Sequence, residues 1–188
     1  MEFKTEEEKM INGQWYDSTS MELIEKLSNA RKIEYEFNNI VGDTKEGMKV
    51  FRKLTPNTGE GVIVIPPFIC DFGNHIEIGD KTFINKGCTF LDCGKITIGK
   101  NCFIGPSTHI LTPVHPLDYK SRNKGHLMAR PVEIGDNVWI GGNVTILPGV
   151  KIGSGSVIGA GSVVTKNIPK NSKAAGNPCR VLGKIDND

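Results

Sequence analysis

The sequence predicts a mainly β protein in the form of a parallel β-helix, and three observations support this fold class. An aliphatic residue returns at every sixth position between residues 132 and 166. Glycine directly follows most of these aliphatic residues. Glycine also accounts for 22 of the 188 residues, well above the roughly 7 % of average proteins. The repeating aliphatic residues are Ile134, Ile140, Ile146, Ile152, Ile158 and Val164, and the glycines are Gly135, Gly141, Gly153 and Gly159.

The six-residue period selects strands rather than a helix. Six is a multiple of two but not of 3.6, so strands keep every aliphatic side chain on one face, whereas a helix would spread them around its surface. We expect each glycine to lie at a tight corner, where a side chain would clash or where φ is positive. Three strand–turn units then close a triangular coil, and stacked coils bury a ladder of Ile and Val. The periodicity leaves the hand of the coil open.

The N-terminal part of the chain has helical rather than six-residue spacing. Thr19 and Glu22 have the spacing of a capping box, and apolar residues at intervals of three and four follow, which predicts a helix over about 20–40. A second helix is predicted to begin at Asp43 and to end before Pro56.

These helices predict an N-terminal helical segment at 1–58, followed by a β-helix domain at 59–188 that ends in a C-terminal cap. The helical hairpin would cover the open end of the solenoid, because terminal coils otherwise expose apolar surface and strand edges.

The repeat starts near Val62 and is interrupted twice. The register shifts by two residues, which indicates a small insertion at residues 92–95. Between residues 112 and 131 the repeat vanishes into a segment with two X-Pro turns, which predicts a loop ejected from a coil corner. This loop contains His115, and long loops in a repeat scaffold are uncommon without a function.

Composition excludes several classes of protein. With 23 basic and 21 acidic residues, the formal net charge is +2, so neither nucleic acid nor an anionic membrane is expected as a partner. No apolar run reaches the length of a membrane span, and the first ten residues are too polar for a signal peptide, so we expect a cytoplasmic protein. The five cysteines include no Cys-x-x-Cys pair and indicate neither disulfides nor a zinc site.

Several motifs together resemble the maltose and galactoside O-acetyltransferases, a branch of the left-handed β-helix acyltransferases. They are the hexapeptide array, the Thr112-Pro113-Val114-His115-Pro116 loop, the segment VIGAGSVVTKNIP and the ending AAGNPCRV. The likeness also includes GQWYD and CDFG near the N-terminus, so it covers nearly the whole chain.

The resemblance implies a homotrimer of left-handed β-helices with acetyl-CoA between neighbouring subunits and no metal. His115 matches the catalytic histidine of the family. The resemblance implies that this residue is a general base that deprotonates an acceptor hydroxyl. The chemistry needs such a group, since a sugar hydroxyl is hardly ionised at neutral pH while imidazole is mostly free base. His75, His109 and His126 match no motif and are expected to be structural or solvent-facing.

For the acceptor, the resemblance points to Asp17, Asp71 and Asn85, and less directly to Asp92. Carboxylates and an amide can hold several sugar hydroxyls in place. Asp17 could instead only interact favourably with the dipole at the N-terminus of the helix. Asn85 could only make the hydrogen bonds of a turn. Galactoside-type relatives have an acidic residue where this chain has Cys93, which puts specific galactoside recognition in doubt.

For the acetyl-CoA donor, the matching positions are Trp139, Gly142, Ala160, Thr165, Lys166 and Arg180. The backbone amide of Gly142 could stabilise the thioester oxygen as it becomes negative. Relatives often have Ser at 142, so a hydroxyl contribution is missing here. Lys166 and Arg180 suit the phosphates of CoA, although they could also be solvated charges. Trp139 should face outward, against pantetheine or against another subunit.

The most favoured function is therefore acetyl transfer to a hydroxyl of a sugar of the maltose, glucose or galactoside type. Alternatives are a non-sugar acceptor such as an antibiotic, an amino-acid hydroxyl or an amine, and a non-catalytic trimeric scaffold. A zinc-dependent hydratase on the same fold is disfavoured because the histidines are not spaced like a ligand set.

Overall fold

The computed structural model describes residues 3–40 and 44–187, and the chain folds as a left-handed parallel β-helix with few helices. In chain order the elements are α1 Glu6–Ile11, β1 Tyr16–Asp17, α2 Met21–Asn38, α3 Thr44–Leu54, β2 Asn57–Thr58, β3 Ile63–Val64, β4 Phe68–Cys70, β5 Ile76–Ile78, β6 Phe83–Ile84, β7 Cys88–Leu91, β8 Ile96–Ile98, β9 Phe103–Ile104, β10 His109–Leu111, β11 Pro113–Val114, α4 Tyr119–Arg122, β12 His126–Ala129, β13 Val132–Ile134, β14 Trp139–Ile140, β15 Thr145–Ile146, β16 Lys151–Ile152, β17 Val157–Ile158, β18 Val163–Val164, β19 Ser172–Ala175 and β20 Arg180–Lys184.

Three parallel sheets form the faces of the column. The first face stacks β2, β5, β8, β13 and β16; the second stacks β3, β6, β9, β14, β17 and β19, with β20 at its edge; the third stacks β4, β7, β10, β15 and β18. Equivalent residues of successive coils are paired, as Ile134 is with Ile98 and Ile152. The inward aliphatic ladder predicted from the period is buried throughout, which confirms the fold class.

The register shift predicted at residues 92–95 is present as an enlarged corner. Ile76 and Ile78 pair with Ile96 and Ile98, so the repeat spacing in this part of the column is twenty residues. Both isoleucines of each strand point inward and are buried. The column also begins earlier than predicted, because Thr58 pairs with Ile78.

The glycines of the repeat lie at corners for a steric reason. A Cβ on Gly141 would lie 2.6 Å from the backbone nitrogen of Ala160 in the next coil. Positive φ is instead found two residues later, at Asn137 and Asn143 among others. Of the two reasons expected from the sequence, close approach between coils is therefore the one that applies to the glycine that follows the aliphatic residue.

Helices α2 and α3 close the N-terminal end of the column. The rings of Phe37, Phe51, Phe68 and Phe90 follow one another with centroids 5.1, 5.2 and 5.1 Å apart, so one apolar core continues from the helices into the coils. The predicted boundary between 58 and 59 stays a prediction, since the two parts share this core.

The capping prediction at Thr19 is wrong. The N-cap of α2 is Ser20, whose side chain makes no capping hydrogen bond. Thr19 lies before the helix and donates its hydroxyl to Asp17 Oδ1 at 2.6 Å. A capping box does occur at Thr5 and Glu8 on α1, a helix that the sequence reading missed. Asp43, the predicted start of the second helix, lies outside the described residues.

Residues 112–131, here called the flap, leave the column between the third and first faces as predicted. Strands β11 and β12 pair antiparallel within the flap, and β12 also pairs antiparallel with β1 near the N-terminus. Tyr16 is opposite Leu127 and Asp17 is opposite His126. The flap is therefore an ordered hairpin that is attached to the N-terminal segment.

The C-terminal residues fold back on the column as an antiparallel pair. Strand β20 pairs with β19 at the edge of the second face. This pairing covers the outer edge of β19, and an edge left unpaired would be a site for association with other strands. The predicted C-terminal cap stays a prediction.

Candidate active site

A groove of about 510 Å³ runs along the second face of the column. Four of the sequence-predicted residues line it together, namely Asn85, Trp139, Gly142 and Ala160. They come from three coils, those of β6, β14 and β17, and meet because these strands stack on the second face and each residue lies beside or just after an inward isoleucine. Three of the six donor-side predictions and Asn85 thus fall in one depression of the surface.

An outward aromatic ladder forms one wall of the groove. Parallel pairing places Phe103 beside Phe83 and Trp139 beside both Phe103 and Val157. Phe103 and Trp139 are each 57 % exposed, which is unusual for large apolar side chains that lie next to one another. Such a wall can bind an apolar chain by burying it from water. Sequence reasoning missed Phe103, although it precedes Ile104 just as Trp139 precedes Ile140.

The floor of the groove has backbone donors without partners inside the described chain. The N–H groups of Gly142 and Ala160 donate no hydrogen bond to any described residue, although the flanking Gly141 and Asn143 amides both do. Pro106, which occupies the same corner one coil earlier, has no N–H at all and packs against Gly142. An unpaired amide at a groove can stabilise an oxygen that becomes negative.

A second group of predicted residues, Asp71 and Asp92, follows the carboxyl ends of strands β4 and β7 on the third face. Asp92 is buried, and Oδ1 accepts hydrogen bonds from the backbone N–H groups of Asp71 at 3.0 Å and Phe72 at 2.8 Å. Its Oδ2 accepts from the N–H of His75 at 3.3 Å. Burial raises the pKa of the Asp92 carboxyl, while the hydrogen bonds oppose that shift by favouring the charged form. Asp92 therefore holds the turn that presents Asp71.

Asp71 itself is half-buried at this turn. Its Oδ2 accepts a hydrogen bond from the thiol of Cys93 at 3.3 Å. Burial raises the pKa of the Asp71 carboxyl, and the Cys93 thiol and the charge of Arg31 act against that rise. The carboxylate thus keeps one oxygen, Oδ1, without a protein partner among the described residues and is suited to accept a hydrogen bond from a ligand.

Asp17 and His115 belong to the sheet that joins the flap to the N-terminal segment. Asp17 is exposed and accepts two hydrogen bonds from Thr19, which lower the pKa of its carboxyl. His115 directly follows strand β11, is exposed, and makes no hydrogen bond or ion pair within the described residues. Its imidazole does not line the groove on the second face of the same chain.

The remaining predicted donor residues lie at the far end of the column. Thr165 and Lys166 follow β18 and are exposed. Arg180 begins β20, is exposed, and donates one hydrogen bond to the carbonyl oxygen of Cys179 at 2.9 Å. None of these three residues lines the groove.

The described residues contain neither a cluster that could bind a metal nor a helix that could span a membrane. No group of three or more His, Cys, Asp or Glu side chains could hold a metal ion there. No helix in the described part of the chain has both the length and the apolar character needed to cross a membrane.

Comparison with known proteins agrees with this architecture. Residues 131–166 match the family profile for the bacterial transferase hexapeptide (six repeats), and residues 95–114 match the hexapeptide repeat of succinyl-transferase. Residues 9–59, which include all of α2 and α3, match the maltose acetyltransferase hexapeptide capping motif.

Similar solved structures extend the match to nearly the whole chain. A maltose O-acetyltransferase from Clostridium difficile 630 is 44 % identical, covers 97 % of this chain and 98 % of its own, and superimposes with a TM-score of 0.95. A galactoside acetyltransferase in complex with coenzyme A is 37 % identical, with coverage of 98 % and 92 % and a TM-score of 0.92. The chain belongs to the maltose and galactoside O-acetyltransferase family.

Membership in this family makes the protein an acetyltransferase. A third structure, a hexapeptide-repeat acetyltransferase from Vibrio cholerae complexed with acetyl coenzyme A, is 41 % identical, covers 98 % of this chain and all of its own, and has a TM-score of 0.91. The hairpin of α2 and α3, whose capping role we inferred from exposed coil ends, is thus a feature that the family profile also includes.

Proposed function

We propose that the protein is an acetyl-CoA-dependent O-acetyltransferase that transfers the acetyl group to a hydroxyl of a sugar of the maltose, glucose or galactoside type. The observation that carries this proposal is the groove on the second face, which combines an exposed aromatic wall with two unpaired backbone amides. Relatives of this fold were solved with acetyl coenzyme A or coenzyme A bound.

The groove suits the donor. The pantetheine chain lies against Trp139 and Phe103, which bury it from water. The N–H of Gly142 meets the thioester oxygen as that oxygen becomes negative in the transition state. Thr165, Lys166 and Arg180 extend the donor site towards the phosphates, where Lys contributes a point charge and Arg a planar fork.

His115 acts as the general base. Its imidazole takes the proton from the acceptor hydroxyl as the hydroxyl oxygen attacks the thioester carbonyl carbon. The carbon–sulfur bond then breaks, and the protonated imidazole returns the proton to the sulfur of CoA. A correctly positioned base contributes about 10² to 10⁴ in rate.

The acceptor is held by Asp17, Asp71 and Asn85, which fix the hydroxyl that reacts. Asp71 contributes its Oδ1, and Asp92 acts indirectly by holding the turn on which Asp71 lies. Asp17 lies opposite His126 in the sheet that includes the flap, so it is held to the segment that carries His115.

The active protein is a homotrimer in the cytoplasm, with each site formed by two chains. What supports this arrangement is the separation of the parts in one chain, because neither His115 nor Asp71 lines the donor groove. A neighbouring subunit can bring its flap to that groove, whose apolar wall would otherwise remain exposed to water.

The test uses acetyl-CoA, a panel of acceptors and detection of the free thiol of CoA. We expect thiol release that depends on glucose, maltose or a galactoside, and a loss of about 10² to 10⁴ in kcat for His115→Ala. His126→Ala, which removes another exposed histidine of the flap, is the matched control and should retain activity. Release that depends only on serine, chloramphenicol or an amine would assign a non-sugar acceptor and overturn the sugar assignment.

A further inference from the structure

A short chain of side chains joins the N-terminal segment to the acceptor carboxylate. Tyr16 and Cys93 lie in one buried cluster, where burial and the neighbouring thiol raise the pKa of the tyrosine hydroxyl. The thiol in turn donates to Asp71 Oδ2 at 3.3 Å. Tyr16 is 3 % exposed and Cys93 is 9 % exposed, so water cannot easily replace either partner.

The fold places these three residues together from distant parts of the sequence. Asp71 follows β4 and Cys93 follows β7, and these strands are paired neighbours on the third face. Tyr16 comes from β1 and packs with Cys93 in a separate apolar cluster that also includes Phe72 and Ala129. The cluster is therefore the junction of the column, the N-terminal segment and the base of the flap.

The same junction connects Asp71 to the flap that carries His115. Tyr16 pairs with Leu127 on β12, and β12 pairs with β11, whose last residue, Val114, precedes His115. A displacement of β1 would thus change the position of His115 through the sheet and the position of Asp71 through Cys93. The thiol is the polar link between the two halves of the acceptor site.

We propose that Cys93 is a positioning residue for acetyl transfer: its thiol holds the Asp71 carboxylate towards the acceptor and in a fixed position relative to the flap. The inference rests on the proposed function, in which Asp71 binds the acceptor.

Kinetics of two substitutions at one position test the role. Cys93→Ala removes the donor, whereas Cys93→Ser keeps a hydroxyl that can accept from Tyr16 and donate to Asp71. With glucose and maltose as probes, we expect Cys93→Ala to raise the acceptor KM about five- to tenfold, the effect of losing one hydrogen bond of ordinary strength. The KM for acetyl-CoA should not change, and Cys93→Ser should restore most of the acceptor affinity.

Two further variants separate positioning from packing. Tyr16→Phe keeps the ring in the cluster but removes the hydroxyl beside the thiol, so it should raise the acceptor KM without a large change in Tm. Cys102→Ala removes another buried thiol, one that donates to the carbonyl oxygen of Gly135 at the corner between the first and second faces, and should leave the acceptor KM unchanged.

The outcomes are distinguishable. An unchanged acceptor KM in both Cys93→Ala and Tyr16→Phe, or a Cys93→Ser variant no better than Cys93→Ala, would overturn the positioning role while wild-type turnover left the proposed function intact. A wild-type protein without sugar-dependent thiol release would overturn both. Should Cys93→Ala fail to fold, Tyr16→Phe and Cys93→Ser decide the matter.

Discussion

Gly141→Ala is expected to destabilise the column strongly, for a reason that its backbone angles do not reveal. Gly141 does not have a positive φ, so conformational preference alone permits alanine. The new Cβ would nevertheless lie 2.6 Å from the nitrogen, 2.9 Å from the Cα of Ala160 and 3.1 Å from the carbonyl oxygen of Ile158. All three atoms belong to the backbone of the next coil and cannot rotate away.

The magnitude follows from what must move. Relieving the contact requires the two coils to separate at this corner, where the N–H of Gly141 donates to the carbonyl oxygen of Ile158 at 2.8 Å. Losing such a buried hydrogen bond costs about 1 kcal/mol, and overpacking adds about 1–3 kcal/mol. We therefore expect the free energy of unfolding to fall by about 2–4 kcal/mol.

Two other glycines are matched controls. Gly161 has φ of +72° but nothing within 4 Å of a Cβ, so Gly161→Ala should cost only the left-handed conformation, about 1–2 kcal/mol. Gly183 has neither restriction, and Gly183→Ala should be neutral or slightly stabilising. Urea unfolding at one protein concentration measures all three, since association would otherwise shift the midpoints. A Gly141→Ala variant no less stable than Gly161→Ala would refute the steric argument.

Two further predictions concern the carboxylates at the end of the third face. Asp92→Asn should lower the free energy of unfolding by about 2–3 kcal/mol, because an amide NH₂ would face buried N–H donors. Asp136 is less buried and accepts one such bond, so Asp136→Asn should lower the free energy of unfolding by less in the same urea assay. Because burial raises the pKa of Asp71, its carboxyl is protonated on acidification sooner than an ordinary one. The acceptor KM should therefore rise as pH falls towards that raised pKa, and Asp71→Asn should remove this pH dependence; a wild-type KM that is flat over the acidic range would contradict it.

The repeat could be predicted well because its determinants are local and recur. Each coil supplies the same evidence, so Ile134 and Ile140 could be assigned inward positions without knowledge of any contact. The pairing of Tyr16 with Leu127 could not be predicted in this way, since it joins two-residue and four-residue strands more than a hundred positions apart. The capping error at Thr19 has a different and local origin: Thr19 donates its hydroxyl to Asp17, two residues earlier, and helix α2 begins one residue later than the capping-box spacing indicated.

The sequence predicted which residues belong to the candidate site better than it predicted how they are arranged. The family resemblance named Asn85, Trp139, Gly142 and Ala160, and the structure brings these four into one groove. Roles that depend on burial could not be inferred from residue type. Asp92 was expected to bind the acceptor, yet both of its oxygens are engaged by backbone amides, and its assignment as a direct acceptor ligand stays a prediction.

Two corners of the column differ in how the backbone N–H after the corner glycine is satisfied. On the first face, the N–H of Asp136 donates to Ser154 Oγ of the next coil at 3.0 Å, and the N–H of Lys100 donates to Asp136 Oδ1 at 2.9 Å. On the second face, the equivalent residues are Gly142 and Ala160, and Ala160 has no side-chain acceptor to offer.

Stability alone would favour a cap at Gly142, because backbone donors shielded from water are costly when unpaired. Ala160→Ser is therefore expected to let the serine hydroxyl accept the N–H of Gly142, as Ser154 does for Asp136. The variant should gain about 0.5–1 kcal/mol in the free energy of unfolding and lose about 10- to 100-fold in kcat, because the donor for the transition-state oxygen is then occupied. A variant that became more stable without any loss of kcat would exclude the Gly142 amide from the reaction.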